Sequence, residues 1–429
     1  MADMLFARPD GQWFDFPALE MAGLSGNRWQ KPNKKDLIPL PEGATLIMMP
    51  QAAPVGIDKE SGEFLLVDEN PYKKNAEPVY AMAALLPQGF TRLLLPAAEM
   101  SPIELPLLGF TAVGVEKGKL VVAAAITDEH KSWHPRFYNT EELPKLIKKR
   151  QQEIPNNRII EQLAHCSLEY GCFTAQNIFY RRFEGGIPVS PLCNADCIGC
   201  ISLQPSECCP SPQQRLKFRP ESQEIAAVAI PHLKEAKEAI ISFGQGCEGE
   251  PSLEWQRICE AIKLIRQQTK LGIININTNA GNTEAISALC EGGIDSIRVS
   301  LFSPLDSEYQ AYHRPQNYTL DSVRESLRSA QAAKVPVALN LLAYPGFSDD
   351  QRRADALIEL IKETGIKQVQ LRNLNIDPKQ MTGFVKDSWG MGMNSFINYL
   401  KDQLPGLSIG SYTHSEVKNN QKNNQKNKK

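Results

Sequence analysis

No apolar run in this 429-residue chain approaches the ~20 residues that span a bilayer, and its start, Met1, Ala2 and Asp3, lacks the basic and then apolar order of a secretion signal. These absences set the expectation of a cytoplasmic protein without membrane partners. Neither sign of charge is in excess: 47 Lys and Arg face 49 Asp and Glu, so the global balance calls for no polyanionic partner such as nucleic acid. The six histidines form no H-E-x-x-H or comparable metal pattern. Asp128-Glu129-His130 looks superficially like a cobalamin-ligating loop, but Trp133 stands where that loop needs glycine. Cysteine is missing before Cys166 and after Cys290, so sulfur chemistry belongs to the middle of the chain. In a reducing compartment the ten cysteines divide among buried small side chains, metal ligands and reactive thiols rather than disulfides.

What is present falls into four stretches. Residues 1–135 mix short β-like runs, at 44–49, 64–67, 91–95, 110–115 and 120–125, with Pro and Gly punctuation and hairpin-like turns at 59–62 and 116–119. They predict a separate β-rich N-terminal domain. Residues 136–185 carry helical spacing over 141–168 and predict a helical linker. Over 186–415 the pattern becomes strand, loop, helix at intervals of about 30 residues, the mark of βα units on a parallel sheet. Six candidate strands, at 187–189, 239–243, 272–277, 296–302, 335–342 and 367–372, predict an α/β fold with a partial (β/α)6 barrel; a seventh run lies at 407–412. Trp255, Ile258, Ile262 and Ile265 form one helical stripe, and the stretch 350–364 forms another, stopped by Gly365. Residues 416–429, only Asn, Gln and Lys from Lys418 onward, predict a disordered tail.

Directly after the first candidate strand, Cys193, Cys197 and Cys200 give Cys-x3-Cys-x2-Cys. A tight loop of this spacing can turn three thiolates toward one face of a cuboidal iron–sulfur cluster and leave the fourth iron without a protein ligand. Zinc is the other reading, although it takes four ligands and favours Cys-x2-Cys pairs matched by a second pair elsewhere. Cys166, Cys172, Cys208 and Cys209 flank the triplet as a candidate set for a second cluster, though the adjacent pair makes awkward ligands. Cys247, Cys259 and Cys290 read as buried small residues.

The second strand runs into a glycine-rich loop in which Gly244, Gly246 and Gly249 satisfy G-x-G-x-x-G, the basis for a nicotinamide-dependent oxidoreductase reading. Context opposes it: Pro251 falls where the fingerprint helix should run, and the third strand ends in Asn277-Thr278-Asn279 rather than an acidic ribose ligand. The fourth strand carries Ser300, followed by Arg314; the fifth carries Asn340; the sixth carries Gln370, Arg372, Asn373 and Asn375. In β/α barrels the site is assembled at the C-terminal strand ends, where all these residues fall.

In this order, the cysteine triplet, Gly249-Glu250-Pro251, the Asn277-Thr278-Asn279 turn and the Val299-Ser300-Leu301 strand resemble the radical S-adenosylmethionine (radical SAM) superfamily over 186–376. Gly199 stands where that superfamily usually has an aromatic residue. The resemblance implies a [4Fe-4S] cluster on Cys193, Cys197 and Cys200 whose open iron is chelated by the amino and carboxylate groups of S-adenosylmethionine. It implies cofactor contacts from the Gly199 backbone, from Gly249 and Glu250 to the methionine ammonium, from Asn277, Thr278 and Asn279 toward substrate or ribose, from Ser300 to the methionyl group, and from Asn340. It further implies an electron donor such as flavodoxin or ferredoxin, anaerobic chemistry, and a 5'-deoxyadenosyl radical that takes hydrogen from a small molecule, peptide or protein. The absence of early cysteines disfavours methylthiotransferases; the absence of late ones disfavours the molybdenum-cofactor cyclase pattern, maturases with C-terminal auxiliary clusters and cysteine-dependent RNA methylases. The N-terminal domain would then dock a protein or peptide substrate. A nicotinamide oxidoreductase and a zinc-bound scaffold with an idle barrel are the readings from other classes.

Overall fold

Alternation with period 2 organises the second half of the chain. A computed structural model describes residues 2–74, 76–128, 131–204 and 211–412. Seven parallel strands, β1 (Arg182–Gly186), β2 (Lys237–Phe243), β3 (Ile273–Thr278), β4 (Ser296–Leu301), β5 (Val337–Ala343), β6 (Gln368–Asn373) and β7 (Ser408–Gly410), pair in chain order in one sheet. Ile241, Ile274, Ile276, Ile297, Val299, Leu339, Leu341, Val369 and Leu371 alternate onto one face and join a single apolar core with the surrounding helices. The opposite face is polar. It carries Glu184 on β1 and Arg298 on β4, whose side chains meet at 2.8 Å. A flat sheet would hold strands three spacings apart at roughly 14 Å, so this ion pair crosses the inside of a curled sheet.

The outer layer consists of α4 (Ser222–Glu235), α5 (Trp255–Gln268), α6 (Thr283–Glu291), α8 (Leu320–Ala332), α9 (Gln351–Thr364) and α11 (Met393–Gln403). The shorter α7 (Asp306–His313) and α10 (Pro378–Val385) lie beyond the ends of β4 and β6. Gly365 ends α9 with φ +66° and an N–H bond to Ile361 O, the role its position predicts. The helical spacing over 141–168 falls into two helices, α1 (Leu143–Glu153) and α2 (Arg158–Glu169), because Pro155 and Asn156 (φ +61°) interrupt it and Asn157 caps the second. With α3 (Phe173–Tyr180) they bury Ile147, Ile160, Leu163 and Phe179 in the barrel's own core.

The first barrel strand lies earlier than predicted: β1 is Arg182–Gly186, and of 187–189 Ile187 N still donates to Ser242 O of β2 (2.9 Å). Two glycines hid the strand. A Cβ at Gly185 would lie 2.2 Å from Ile178 Cδ1 and one at Gly186 2.7 Å from Gln245 Cγ, so close packing, not a turn, demands glycine there.

The N-terminal region is antiparallel, with ten strands in one sheet and three short ones, Gly23–Ser25, Arg28–Gln30 and Leu95–Pro96, in another. Asp3–Ala7, Trp13–Met21 and Tyr80–Leu85 are strands outside the predicted β-like runs, the first two joined by a turn at Pro9-Asp10-Gly11. Both predicted hairpin turns join paired strands: 59–62 links Val55–Asp58 to Phe64–Leu66, and Lys117 and Gly118, both at positive φ, link Phe110–Glu116 to Lys119–Ile126. Leu24, Leu95 and Leu107 pack with Phe302, Tyr312, Tyr344 and Phe347, seating the region against the ends of β4 to β6.

The sheet's edges are β1 and β7, and an aromatic strap crosses between them. Trp133 stacks on Tyr412, just after β7, at 5.7 Å, and Tyr138 stacks on Phe173 at 3.8 Å with the Arg182 guanidinium over its ring. Glu129, His130, Cys208, Cys209 and the tail predicted at 416–429 lie outside the described residues.

Candidate active site

The cysteine loop is held from two sides. On one, Gly249 N donates to Ser190 O (2.8 Å) and Glu250 N to Leu192 O (2.7 Å), tying the loop after β1 to the loop after β2. The approach is so close that a Cβ on Gly249 would lie 2.0 Å from Leu192 O. On the other, Asp196 N donates to His313 O, Ile198 N to Tyr312 O and Gln316 N to Asn194 O, so the loop runs along the end of α7.

Below the loop sits Glu248, a buried carboxylate that receives four backbone N–H bonds. Its Oε2 accepts from Val189 and Ser190, and its Oε1 from Gly244 and Gln245. Burial pushes its pKa up to about 7 against the pull of those donors. Glu250 is also buried and is held by the next strand end: Thr278 Oγ1 and Ser252 N donate to its Oε1 and Asn279 N to its Oε2 (2.8 Å). Asn279 Nδ2 continues to Asn194 Oδ1 at 2.7 Å, inside the cysteine loop. Asn277 Nδ2 donates to Phe243 O and Gly244 O. Gly249, Glu250, Asn277, Thr278 and Asn279 thus form one hydrogen-bonded bracket under the cysteines. Ser300 and Asn340 are level with each other and with Gln370 on the inner face of β4, β5 and β6. The buried Asn340 Oδ1 has no partner among the described residues.

All three cysteines are free and half-buried. His313 Nδ1 lies 3.3 Å from Cys197 Sγ, and Arg215 Nη2 lies 3.6 Å from Cys200 Sγ. Burial first, then the neighbouring carboxylate and thiol charges, pushes Cys193 up to about 11 and Cys197 further. Thiolates are therefore costly here unless cationic iron faces them, while two N–H donors are already placed for thiolate sulfur. The donor set fits a thiolate-ligated cluster. Among the described residues no three His, Cys, Asp or Glu side chains are grouped to hold one metal ion. A cuboidal cluster offers separate corner irons to its thiolates and does not require them to converge on a point.

The glycine at 199 has a spatial cause. A Cβ there would lie 2.5 Å from the hydroxyl of Tyr312, which is buried and stacked on Phe302 at 4.0 Å. A ring contributed by α7 therefore occupies the room a side chain at 199 would need.

Sequence reasoning missed His313, Glu248, Tyr312, Glu184 and Arg298. The sequence singles out Arg314, which is exposed and 4.0 Å from Asp196, whereas its neighbour His313 faces the sulfur. Glu248 carried one signal, a charged residue inside a glycine-rich turn. Cys166 is buried and pairs with Cys247, with Cys172 in electrostatic reach, so the described part of the candidate second set joins Cys247 behind the loop. Cys259 and Cys290 pack half-buried against the core.

Residues 187–368 match the family model described as Radical SAM superfamily. No curated protein matches the chain. Among solved structures, the chain is similar to methylornithine synthase (PylB), at 15% identity and TM-score 0.38, covering 62% of this chain and 77% of that one. SuiB from Streptococcus suis bound to precursor peptide SuiA gives 10% identity and TM-score 0.38, with 69% and 66% covered. TYW1 with a lysine-pyruvate adduct bound gives 15% and 0.34, with 58% and 90% covered. Likenesses this distant do not bear on the substrate.

Proposed function

We propose, for a chain whose residues 187–368 belong to the radical SAM superfamily and which is accordingly an enzyme using a [4Fe-4S] cluster and S-adenosylmethionine, that Cys193, Cys197 and Cys200 hold the cluster. The observation that carries this assignment is the pair of N–H donors, from His313 and Arg215, aimed at two of the three sulfurs. When bound, the group supplies the electron that cleaves the S-adenosylmethionine sulfonium to methionine and a 5'-deoxyadenosyl radical, which takes hydrogen from the substrate.

The residues of this chain orient and enclose. Glu248 and Glu250 lock the ends of β1, β2 and β3 together through backbone N–H groups, which sets where the cysteine loop stands. The Gly199 backbone, Gly249, Glu250, Asn277, Thr278, Asn279, Ser300 and Asn340, at or near the strand ends that face the cysteine loop, are assigned to the cosubstrate. The N-terminal region packs against the ends of β4 to β6, and the aromatic strap crosses between the edge strands. An external one-electron donor such as a flavodoxin or ferredoxin is required by the chemistry.

A nicotinamide site is disfavoured by the same loop. The N–H groups of Gly244 and Gln245, which a pyrophosphate would need, are taken by Glu248, and Glu250 caps the helical turn that follows. The substrate is a small molecule, peptide or protein. What supports a docking role for the N-terminal region is its edge strand Phe64–Leu66, exposed at all three side chains beside Trp29. No helix among the described residues is long and apolar enough to cross a membrane.

Anaerobically reconstituted protein should be brown with about four iron and four sulfide, and should form 5'-deoxyadenosine from S-adenosylmethionine with dithionite. Cys197→Ala should abolish both. Colourless protein holding stoichiometric zinc after reconstitution would overturn the assignment.

A further inference from the structure

The barrel's inner face is where a cleaved cosubstrate would meet its target, and it holds an incomplete ion pair. Arg298 is 3% exposed. Its Nη1 donates to Glu184 Oε1 (2.8 Å) and to Asn277 Oδ1 (3.2 Å). Its Nε and Nη2 are buried with no partner among the described residues. Those two nitrogens form one planar edge of the guanidinium, the edge that pairs side-on with both oxygens of a carboxylate. Burying such an edge bare is costly, and it is kept where a ligand completes it.

The charges around it favour an anion. Arg372, on β6, is within electrostatic reach of Arg298, and burial lowers it to about 10. Glu184 is the carboxylate that faces both guanidinium groups, and it already accepts from Ser242 and Arg298. The other titratable groups on this side, Tyr138 near Glu184 and Tyr412 near Arg372, are phenols that burial keeps protonated. Asp128 acts on Tyr412 and Arg182 on Tyr138, at the rim; among the described residues, the guanidinium groups of Arg298 and Arg372 share the one carboxylate of Glu184 on the inner face. Arg298 stands three residues in from the end of β4, roughly 10 Å below the strand ends that carry the cysteine loop. The methionine carboxylate of S-adenosylmethionine belongs at the cysteines, so the bare edge waits for a different molecule.

We infer that the Nε–Nη2 edge of Arg298, with Arg372 beside it, binds a carboxylate of the substrate at the floor of the barrel, and that the substrate is a carboxylic acid small or slender enough to enter the lumen. The inference rests on the barrel being the radical-generating site proposed above. The minimal probe is acetate, with acetamide as its neutral counterpart and chloride as the control for ionic strength.

Acetate should raise the Tm of the wild-type protein saturably, by roughly 2–4 °C, while acetamide and chloride should not. Arg298→Lys keeps the charge opposite Glu184 but lacks the fork; it should fold, load iron normally and lose the acetate shift. Arg298→Gln should do the same if it folds. S-adenosylmethionine affinity, measured by equilibrium dialysis, should change less than about tenfold in Arg298→Lys. A larger loss with iron content intact would give the edge to the cosubstrate's own carboxylate and overturn the inference. So would an acetate shift that survives in Arg298→Lys, or no shift in wild type, which would leave the edge to water. Failure of the cluster assignment shows separately, as wild-type protein that takes up no iron, because the acetate shift requires no cluster.

Discussion

Cys197 Sγ lies 3.3 Å from His313 Nδ1, and the other nitrogen of that ring decides which of the two carries the proton. Phe302 N donates to His313 Nε2 at 3.2 Å, so Nε2 is the acceptor and Nδ1 holds the hydrogen. Burial lowers His313 to about 3, which keeps the ring neutral. A neutral N–H therefore points at a cysteine sulfur across 116 residues of chain.

Replacing that ring should alter the cluster's electronics more than its assembly. In His313→Leu the Cys197 sulfur loses its donor, and the midpoint potential, followed by anaerobic EPR titration, is expected to fall while iron content stays near that of wild type. The stranded Phe302 N–H should cost about 1–3 kcal/mol of stability. An unchanged potential would remove His313 from the cluster's surroundings.

Gly249→Ala tests whether the loop after β2 positions the cysteines. The added methyl would meet Leu192 O, one residue from Cys193, so the two loops must part. Reconstituted iron is expected to drop sharply while far-UV circular dichroism shows an intact fold.

Glu248 makes stability depend on pH in a stated direction. Its folded pKa of about 7 lies above the ordinary carboxylate value of 4.5, so between those limits the folded chain keeps a proton that the unfolded chain has lost. Its contribution is present below about pH 4.5 and disappears as pH rises through about 7. Relative to Glu248→Gln, wild type should lose up to about 3 kcal/mol across that window, read from urea unfolding at a series of pH values.

Arg92 couples the N-terminal region to the barrel. It is fully buried, and its Nη2 donates to Leu374 O at 2.7 Å while its backbone N–H donates to Asn373 Oδ1. Arg92→Ala should cost roughly 2–4 kcal/mol through lost packing and a stranded carbonyl. It is also expected to split a single urea transition into two, with tryptophan fluorescence and far-UV dichroism no longer coinciding.

Local rules made much of this protein legible. The recurrence of strand, loop and helix at about 30-residue intervals located β2 to β6 to within a few residues, and the turn residues Gly62 and Gly118 marked two hairpins, because each depends on the preferences of short stretches of neighbouring residues. The spacing of Cys193, Cys197 and Cys200, at the head of polar strand ends, pointed to a cluster for the same reason: a tight loop limits where three thiols can reach. Strand β1 escaped because its glycines answer to Ile178 and Gln245, which only the folded chain brings near.

What tertiary structure alone decided are relationships whose partners are far apart in the chain. Tyr312 fills the space at Gly199, His313 presents its N–H to Cys197, and Glu184 meets one corner of Arg298 while leaving the fork bare. None of these follows from spacing. Each depends on how tightly the sheet curls and where α7 comes to rest, and those are set by the packing of the whole apolar core rather than by any stretch of sequence.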